Sequence, residues 1–277
     1  MRFGWDNSLL TGVTVEDAKA ATTVWVKALV RKKMTDREPV VSVYETAGSV
    51  RQAISARRVD LLTVSSLLYL TMPESTLVRP RYVGVRPGEA ENGTTYLLLA
   101  RAQNAASGLK ALRRKSVVIA TSGQSRLPRL WLEVLLRKAG LERSRKLLSS
   151  VREVGKAPAA LLPVFFGQAD YCIVTKGGFG TAAEMNPQLG RELKVVAASP
   201  RLHPCLVVTR NSWTQSSRDK KLLDDAMLNL HKHPEGRQTM ALFGVQRMVP
   251  YQPFHLAGVR ALLADCRKLG VPINAGN

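Results

Sequence analysis

The chain has 277 residues, a length that favours about two domains, with 45% hydrophobic and 22% charged residues, the balance of a folded globular protein. Disordered, collagen-like and low-complexity classes are excluded, and a chain this long buries a sizeable core without disulfides or a structural metal. Forty-one Lys and Arg against twenty-one Asp and Glu leave a net charge of +20, which bears on partners and not on fold.

Short β-rich runs alternate with helical patterns, which predicts α/β layers. Residues 2–5 open with a strand. Thr14 caps a helix reaching about Met34, with Asp17 three positions on as in a capping box, and Ala18, Ala21, Val24, Trp25, Ala28 and Leu29 follow the spacing of one buried face. A strand at 39–44 and a helix at 50–57 follow. The near-continuous apolar run 59–64 reads as a buried parallel strand, with Ser65 and Ser66 directly after it. Further strands lie at 81–85 and 94–101, separated by the turn-rich 87–93. The pattern then repeats, with a strand at 116–120, a helix at 124–139, a weaker strand at 146–153, a helix at 158–167 and a strand at 170–175. A short helix stops at Asn186, because the residue before a proline is pushed out of the helical region. Residues 193–198 and 205–209 are extended, and the remainder reads as mostly helical to about Leu269. Boundaries near 88 and 198 give a discontinuous first lobe, 1–88 plus 198–277, and a second lobe, 89–197. A cleft between two such lobes is a favoured place for a small-molecule site.

The charge is uneven. Residues 101–160 hold fourteen Lys or Arg against Glu133, Glu142 and Glu153, so either an anionic partner or a solvated basic face accounts for them. Cys172, Cys205 and Cys266 are far apart and odd in number, which argues against a disulfide framework or a cysteine zinc site. No apolar run reaches the roughly 18–20 residues that span a bilayer. The start, MRFGWDNSLL, lacks the pattern of a secretory leader. The protein is therefore periplasmic if a leader has been removed and cytoplasmic if the chain starts natively at Met1.

Few motifs carry chemistry. Thr121, Ser122, Gly123, Gln124 and Ser125 join an apolar strand to an amphipathic helix, where hydroxyls, free N–H groups and the positive end of the helix dipole suit an anion. Arg126 and Arg129 add positive potential there, and ordinary N-capping by Thr121, Ser122 or Ser125 is the plain alternative. Lys156 stands at a second strand-to-helix junction and is a candidate for the same ligand. Gly178, Gly180 and Ala183 fit G-x-G-x-x-A, but the helix after them is too short for a dinucleotide site and the next strand ends without an acidic residue. The glycines are expected to form a flexible loop at the cleft edge. Tyr44, Tyr69 and Tyr96 near strand ends serve either a ligand or the core. No nucleophile–base constellation emerges, so an enzyme is not expected, nor a metal or cofactor.

Together the strings resemble the phosphate/phosphite/phosphonate-type solute-binding proteins of ABC transporters, within the type 2 periplasmic-binding-protein fold. The matching pieces are RFGW, SVYETAGSVRQAISARRVDLLTVSSLLYL, NGTTYLLLARAQN, LKALRRKSVVIATSGQSRLPRLWLEVLLRKAG, APAALLPVFFGQADYCIV, AAEMNPQLGRELKVVAASP and GRQTMALFGVQRMVPY. The resemblance implies a two-lobed α/β fold with its ligand between the lobes. By position it brings Tyr44 and Tyr96 forward as assisting tyrosines, Thr121, Ser122 and Ser125 as the oxyanion grip, and Ser65 and Ser66 as a cleft-facing loop. The family's S-T-S-G string is spread out here as TSGQS, and GKAPA stands where phosphonate binders often carry a histidine. Without acidic residues near Thr175 and Lys176 to meet a ligand amine, a simple anion is expected over an aminoalkyl-phosphonate.

The expectation is a two-lobed protein that captures a small phosphonate-, phosphite- or phosphate-like oxyanion for an ABC permease or a sensor. A cytoplasmic enzyme or regulator reusing the fold is the alternative. A nucleic-acid binder is the third reading, not expected because aromatic content is only 6% and no nucleic-acid module is present.

Overall fold

The computed structural model of the chain describes residues 1–10, 14–31, 40–73, 78–105, 108–121, 125–211 and 217–273. It divides into two compact units, Met1–Gly93 with Pro204–His255, and Thr94–His203 with Leu256–Asn277.

In chain order the first unit supplies β1 (Arg2–Asp6), a helix Val15–Arg31, β2 (Val40–Tyr44), a helix Ala47–Ser55, β3 (Leu61–Ser65), a helix Ser66–Thr71 and β4 (Val78–Val85). The second unit follows with β5 (Tyr96–Arg101), β6 (Ser116–Ala120), helices Leu127–Lys138 and Ser144–Leu147, β7 (Ser150–Val154), a helix Ala157–Phe165 and β8 (Tyr171–Thr175). Helices Lys176–Met185 and Pro187–Glu192 lead to β9 (Leu193–Ala198). The chain returns to the first unit through β10 (Cys205–Arg210), helices Ser217–Leu228 and Pro234–Leu242, and β11 (Arg247–Pro250). The last helix, Ala257–Leu269, belongs to the second unit.

The first sheet runs β11-β4-β10-β3-β1-β2. Strands β1, β2 and β3 are parallel, and β10 is antiparallel to both β3 and β4. Apolar residues fill β3 because it lies inside the sheet, and Leu61, Leu62 and Val64 are all buried. At the start of these strands Asp60 gathers two arginines. Its carboxylate accepts from the Arg2 backbone N–H (2.9 Å), Arg2 Nε (3.2 Å) and Arg2 Nη2 (2.9 Å), and from Arg210 Nη2 (3.4 Å).

The second sheet runs β7-β6-β8-β5-β9, with β6, β7 and β8 parallel and β5 antiparallel to β8 and β9. Leu97, Leu99, Val118, Cys172 and Val174 from the strands meet Ala160, Leu161 and Val164 from the helix Ala157–Phe165 in one core. The closing helix joins this unit through an apolar stripe: Val259, Leu262, Leu263 and Cys266 are buried at helical spacing. Lys138 Nζ of the helix Leu127–Lys138 pairs with Asp265 at 2.6 Å, and Gly270, at φ 63°, supplies the left-handed residue that ends the helix.

Several expectations change. Residues 256–277, read from sequence as part of the lobe 1–88 plus 198–277, lie in the second unit because that stripe packs on the helix Leu127–Lys138. Lys146 belongs to a helical turn and the strand starts only at Ser150. Strand β11, inside the segment read as helical, pairs antiparallel with β4. Gly178 and Gly180 sit inside a helix and form no loop. The Thr175 hydroxyl accepts from Gly178 N–H at 3.0 Å, and a Cβ on Gly178 would lie 2.9 Å from that hydroxyl and 3.1 Å from the Ala157 Cβ. Close packing, and not a mobile backbone, is what this glycine serves. Met34 lies outside the described residues, and the helix begun under Thr14, whose hydroxyl accepts from Asp17 N–H at 3.0 Å, is described to Arg31.

Candidate functional site

The order of the second sheet collects the candidate residues of that unit at one edge. Ligands of open α/β sheets bind outside the carboxyl ends of the parallel strands. Ile119 pairs with Ile173, so Thr121, just past β6, stands level with Thr175 at the end of β8. Tyr96 pairs with Thr175 directly. Ala120 pairs with Val154, which puts Lys156 two residues beyond the same edge. Three helices of nine residues or more begin there: Leu127–Lys138, Ala157–Phe165 and Lys176–Met185.

These helix starts differ in how their free N–H groups are met. Thr175 caps the third. The first and second start after Arg126 and Lys156, neither of which makes a side-chain cap bond. Pro128 and Pro158 each remove one N–H from the first turn, which leaves the flanking amides and the positive dipole end for an anion. Arg126 and Lys156 are exposed. Arg129 Nη1 lies 3.4 Å from the Glu153 carboxylate of β7, so its charge is partly neutralised, contrary to the expectation that it simply adds potential.

The hydroxyls divide in the same way. Thr121 is buried, and its backbone N–H donates to the Val154 carbonyl at 2.9 Å, holding the turn against β7. Ser125 is half-buried on the approach to the helix. Ser122 lies outside the described residues. Tyr96 is only 1% exposed, with its backbone N–H donating to Ser199 Oγ at 2.8 Å, so the ring is built into the unit. Thr175 was not singled out by sequence reasoning, although a threonine closing an apolar strand before Gly177-Gly178 is the signal of a cap.

The first unit has its own carboxyl edge. Ser65 ends β3 and its hydroxyl accepts from Leu68 N–H, while its backbone N–H donates to Asp6 Oδ2 at 3.1 Å. Ser66 is fully buried as the first helical residue, with its N–H on the Pro204 carbonyl at 2.9 Å. The expected loop after β3 is therefore a helix start. Tyr69 lies in that short helix. Tyr44 ends β2, but its phenol turns back along the sheet: burial raises its pKa, a hydrogen bond with Ser42 and the charges of Arg2 and Arg58 lower it, and Asp60 raises it. Of these partners Arg2, Arg58 and Asp60 stand by the starts of β1 and β3 and Ser42 lies within β2, and the ring packs beside Gly4 inside β1, so the phenol leans back along the sheet from the edge where the sequence placed it.

Among the described residues no three His, Cys, Asp or Glu side chains group to hold a metal ion, and no helix is long and apolar enough to cross a membrane.

Over residues 13–256 the chain matches the family model described as ABC transporter, phosphonate, periplasmic substrate-binding protein. No curated protein gives a significant sequence match. Among solved structures, a Xanthomonas citri protein bound to ATP has a TM-score of 0.67 at 14% identity over 98% of each chain. A binding protein component of an ABC phosphonate transporter from Pseudomonas aeruginosa scores 0.62 at 16% identity, covering 100% of this chain and 89% of that one. A Prochlorococcus marinus protein in complex with methylphosphonate scores 0.61 at 16% identity over 98% of each chain. At these identities the likeness establishes a shared fold.

Proposed function

The chain belongs to the family of periplasmic substrate-binding proteins of phosphonate ABC transporters, and from that membership we propose that it captures a simple phosphonate, phosphite or phosphate-like dianion and hands it to a membrane permease. The observation that carries the anion chemistry is the carboxyl edge of the second sheet. There two helices begin after Arg126 and Lys156, neither of which caps its helix with its side chain, beside Thr121 and Ser125. Amide N–H groups at helix starts hold an anion without a titratable partner, so capture is insensitive to pH wherever the ligand keeps its charge. At that edge Glu153 is engaged by Arg129. Among the described residues at that edge no other carboxylate is left to greet a ligand amine, which favours alkyl-phosphonates and inorganic oxyanions over aminoalkyl ones. Ser65, Ser66, Tyr44 and Tyr96 remain candidate ligand residues; the burial of Ser66 and Tyr96 and the backward lean of the Tyr44 phenol predict smaller effects on substitution at these three than at Ser125 or Lys156. Delivery to a permease places the working protein on the outer side of the cytoplasmic membrane.

Thermal unfolding against methylphosphonate, phosphite, phosphate, sulfate, 2-aminoethylphosphonate and ATP tests the reading. A ligand at about a hundred times its dissociation constant stabilises by about 2.7 kcal/mol. The expected result is a selective shift with a simple phosphorus oxyanion that Ser125→Ala and Lys156→Ala each reduce. The absence of a shift with every phosphorus oxyanion overturns the proposal.

A further inference from the structure

We propose that the second unit carries, at the end of its sheet opposite the candidate site, a basic surface that adsorbs to anionic phospholipid headgroups. The inference does not rest on which ligand the protein takes. The charge is concentrated in this unit, whose residues include twenty-one Lys or Arg against seven Asp or Glu, whereas those of the first include twenty against fourteen.

Within the second unit the cations gather where the parallel strands begin. Residues 108–115 hold Lys110, Arg113, Arg114 and Lys115 without a carboxylate, and 143–146 hold Arg143, Arg145 and Lys146, again without one. The backbone ties these segments together: Arg114 N–H donates to the Leu147 carbonyl at 2.7 Å, and Ser149 N–H to the Lys115 carbonyl at 3.0 Å. Three of these cations meet carboxylates from neighbouring segments: Arg113 reaches Glu142 at 3.4 Å, Lys115 pairs with Asp170 at 3.0 Å and Arg143 with Glu133 at 3.8 Å, which leaves Lys110, Arg114, Arg145 and Lys146 as the surplus. The Lys138–Asp265 pair brings the end of the closing helix, with exposed Arg267 and Lys268, to the end of the helix Leu127–Lys138.

Part of this charge answers helix dipoles, since Arg137, Lys138, Arg267 and Lys268 stand in last turns. Lys110, Arg145 and Lys146 also stand in last turns, but of four-residue helices whose dipoles are small, and Arg114 stands in none; all four are exposed, and none forms an ion pair with a carboxylate among the described residues. Arg114 also holds a left-handed backbone, φ 60°, where glycine would be unstrained.

The composition of the surface selects the partner. Residues 108–115 and 143–149 contain no aromatic side chain on which a nucleic-acid base could stack. Of their leucines, 112, 147 and 148 are buried and Leu109 is half-buried, so the surface lacks the broad apolar centre of a protein interface. The exposed large hydrophobics of this unit, Leu162, Phe166, Met185 and Val195, lie on other elements. A surface with a net surplus of aliphatic-stemmed cations fits headgroup charge. A protein whose family delivers to a permease works beside such headgroups. The five residues of β6 separate this surface from the candidate site by about 17 Å, so the two are separable by mutation.

The experiment is co-sedimentation of the full chain with phosphatidylcholine vesicles and with phosphatidylcholine–phosphatidylglycerol vesicles across a salt series, with a DNA duplex as competitor. Binding is expected only to the anionic vesicles, declining as the Debye length shortens from about 10 Å at 0.1 M salt to about 3 Å at 1 M. Each cation removed near the surface lowers binding about fivefold. The variant Lys110→Gln, Arg114→Gly, Arg145→Gln, Lys146→Gln therefore loses binding, while the charge-matched first-unit variant Arg51→Gln, Arg57→Gly, Arg58→Gln, Arg79→Gln keeps most of it. Arg57 shares the left-handed backbone, φ 56°, which makes the two variants equivalent in strain relief. Arg114→Gly alone, which relaxes its turn, gives the single fivefold step even where the multiple variant folds poorly. Equal loss in the first-unit variant, binding to neutral vesicles as strong as to anionic ones, or full displacement by the duplex at matched charge concentration each overturns the proposal.

Discussion

In the Asp60→Ala variant Arg2 and Arg210 lose the carboxylate they share, and the two arginines respond differently because their surroundings differ. Arg2 is 41% exposed and returns to water, so its pair contributes little. The Arg210 side chain is 10% exposed beside an Asp60 that is 7% exposed, and removing a carboxylate that a buried cation pairs with costs about 3–5 kcal/mol. The same cluster fixes the pH dependence. Burial raises the Asp60 pKa, but the hydrogen bonds and charge of Arg2, with a hydrogen bond from Arg210, outweigh it and hold the carboxyl below its ordinary value. A depressed folded-state pKa means that this stabilisation is complete above the unfolded carboxylate value of about 4, and is lost as pH falls from there through the folded value. Urea unfolding followed by tryptophan fluorescence checks both statements, since Trp5, Trp25 and Trp213 belong to the first unit and Trp131 to the second. The first-unit transition weakens by about 3 kcal/mol or more in Asp60→Ala at neutral pH, and its acid sensitivity below about pH 4 is blunted in Asp60→Asn. A loss under about 1 kcal/mol, the size of a surface pair, refutes the reasoning.

Thr175→Ala removes the cap of the helix Lys176–Met185 and lowers second-unit stability by about 1 kcal/mol, while Thr175→Ser restores it; the Trp131 signal in urea reads both. Gly4→Ala in β1 places a Cβ 2.7 Å from the Tyr44 ring and 2.8 Å from Val59, so the first unit loses about 1–3 kcal/mol by the same measurement. Burial pushes the Cys172 thiol up to about 12, and burial followed by the Asp265 charge takes Cys266 to about 11. A thiol reagent at neutral pH therefore labels neither in the folded protein and both in urea, which timed mass spectrometry records.

What the sequence made legible was what local pattern controls. The apolar run at Leu61–Val64, the strand Ser116–Ala120 and the helix stop before Pro187 are each dictated by residues within a few positions, and the structure has them there. Strand β11 was missed because its partner β4 lies far away in the chain, and Met248 and Val249 alone give no alternation to read. Gly178 and Gly180 suggested a loop on propensity, and the Thr175 cap with the Ala157 contact overrode it. The stripe Val259, Leu262, Leu263 and Cys266 announced a buried helix face without saying which unit would bury it. At the candidate site the pattern located Thr121, Ser125 and Lys156 on strand-to-helix junctions, but the strand order β7-β6-β8 that lines them up is a tertiary fact. The turn of the Tyr44 phenol toward Arg2, Arg58 and Asp60 is likewise set by side-chain packing, to which residue spacing is blind.

The central claim is that the second unit's helix starts and hydroxyls hold a small phosphorus oxyanion. Calorimetric titration of the full chain with methylphosphonate tests it most directly, alongside Ser125→Ala and Lys156→Ala. The account predicts saturable binding of one ligand per chain, weakened about tenfold or more in each variant through loss of a hydrogen bond to a charged group. Undiminished affinity in both variants, or no binding of methylphosphonate, phosphite or phosphate by the wild type, would contradict it.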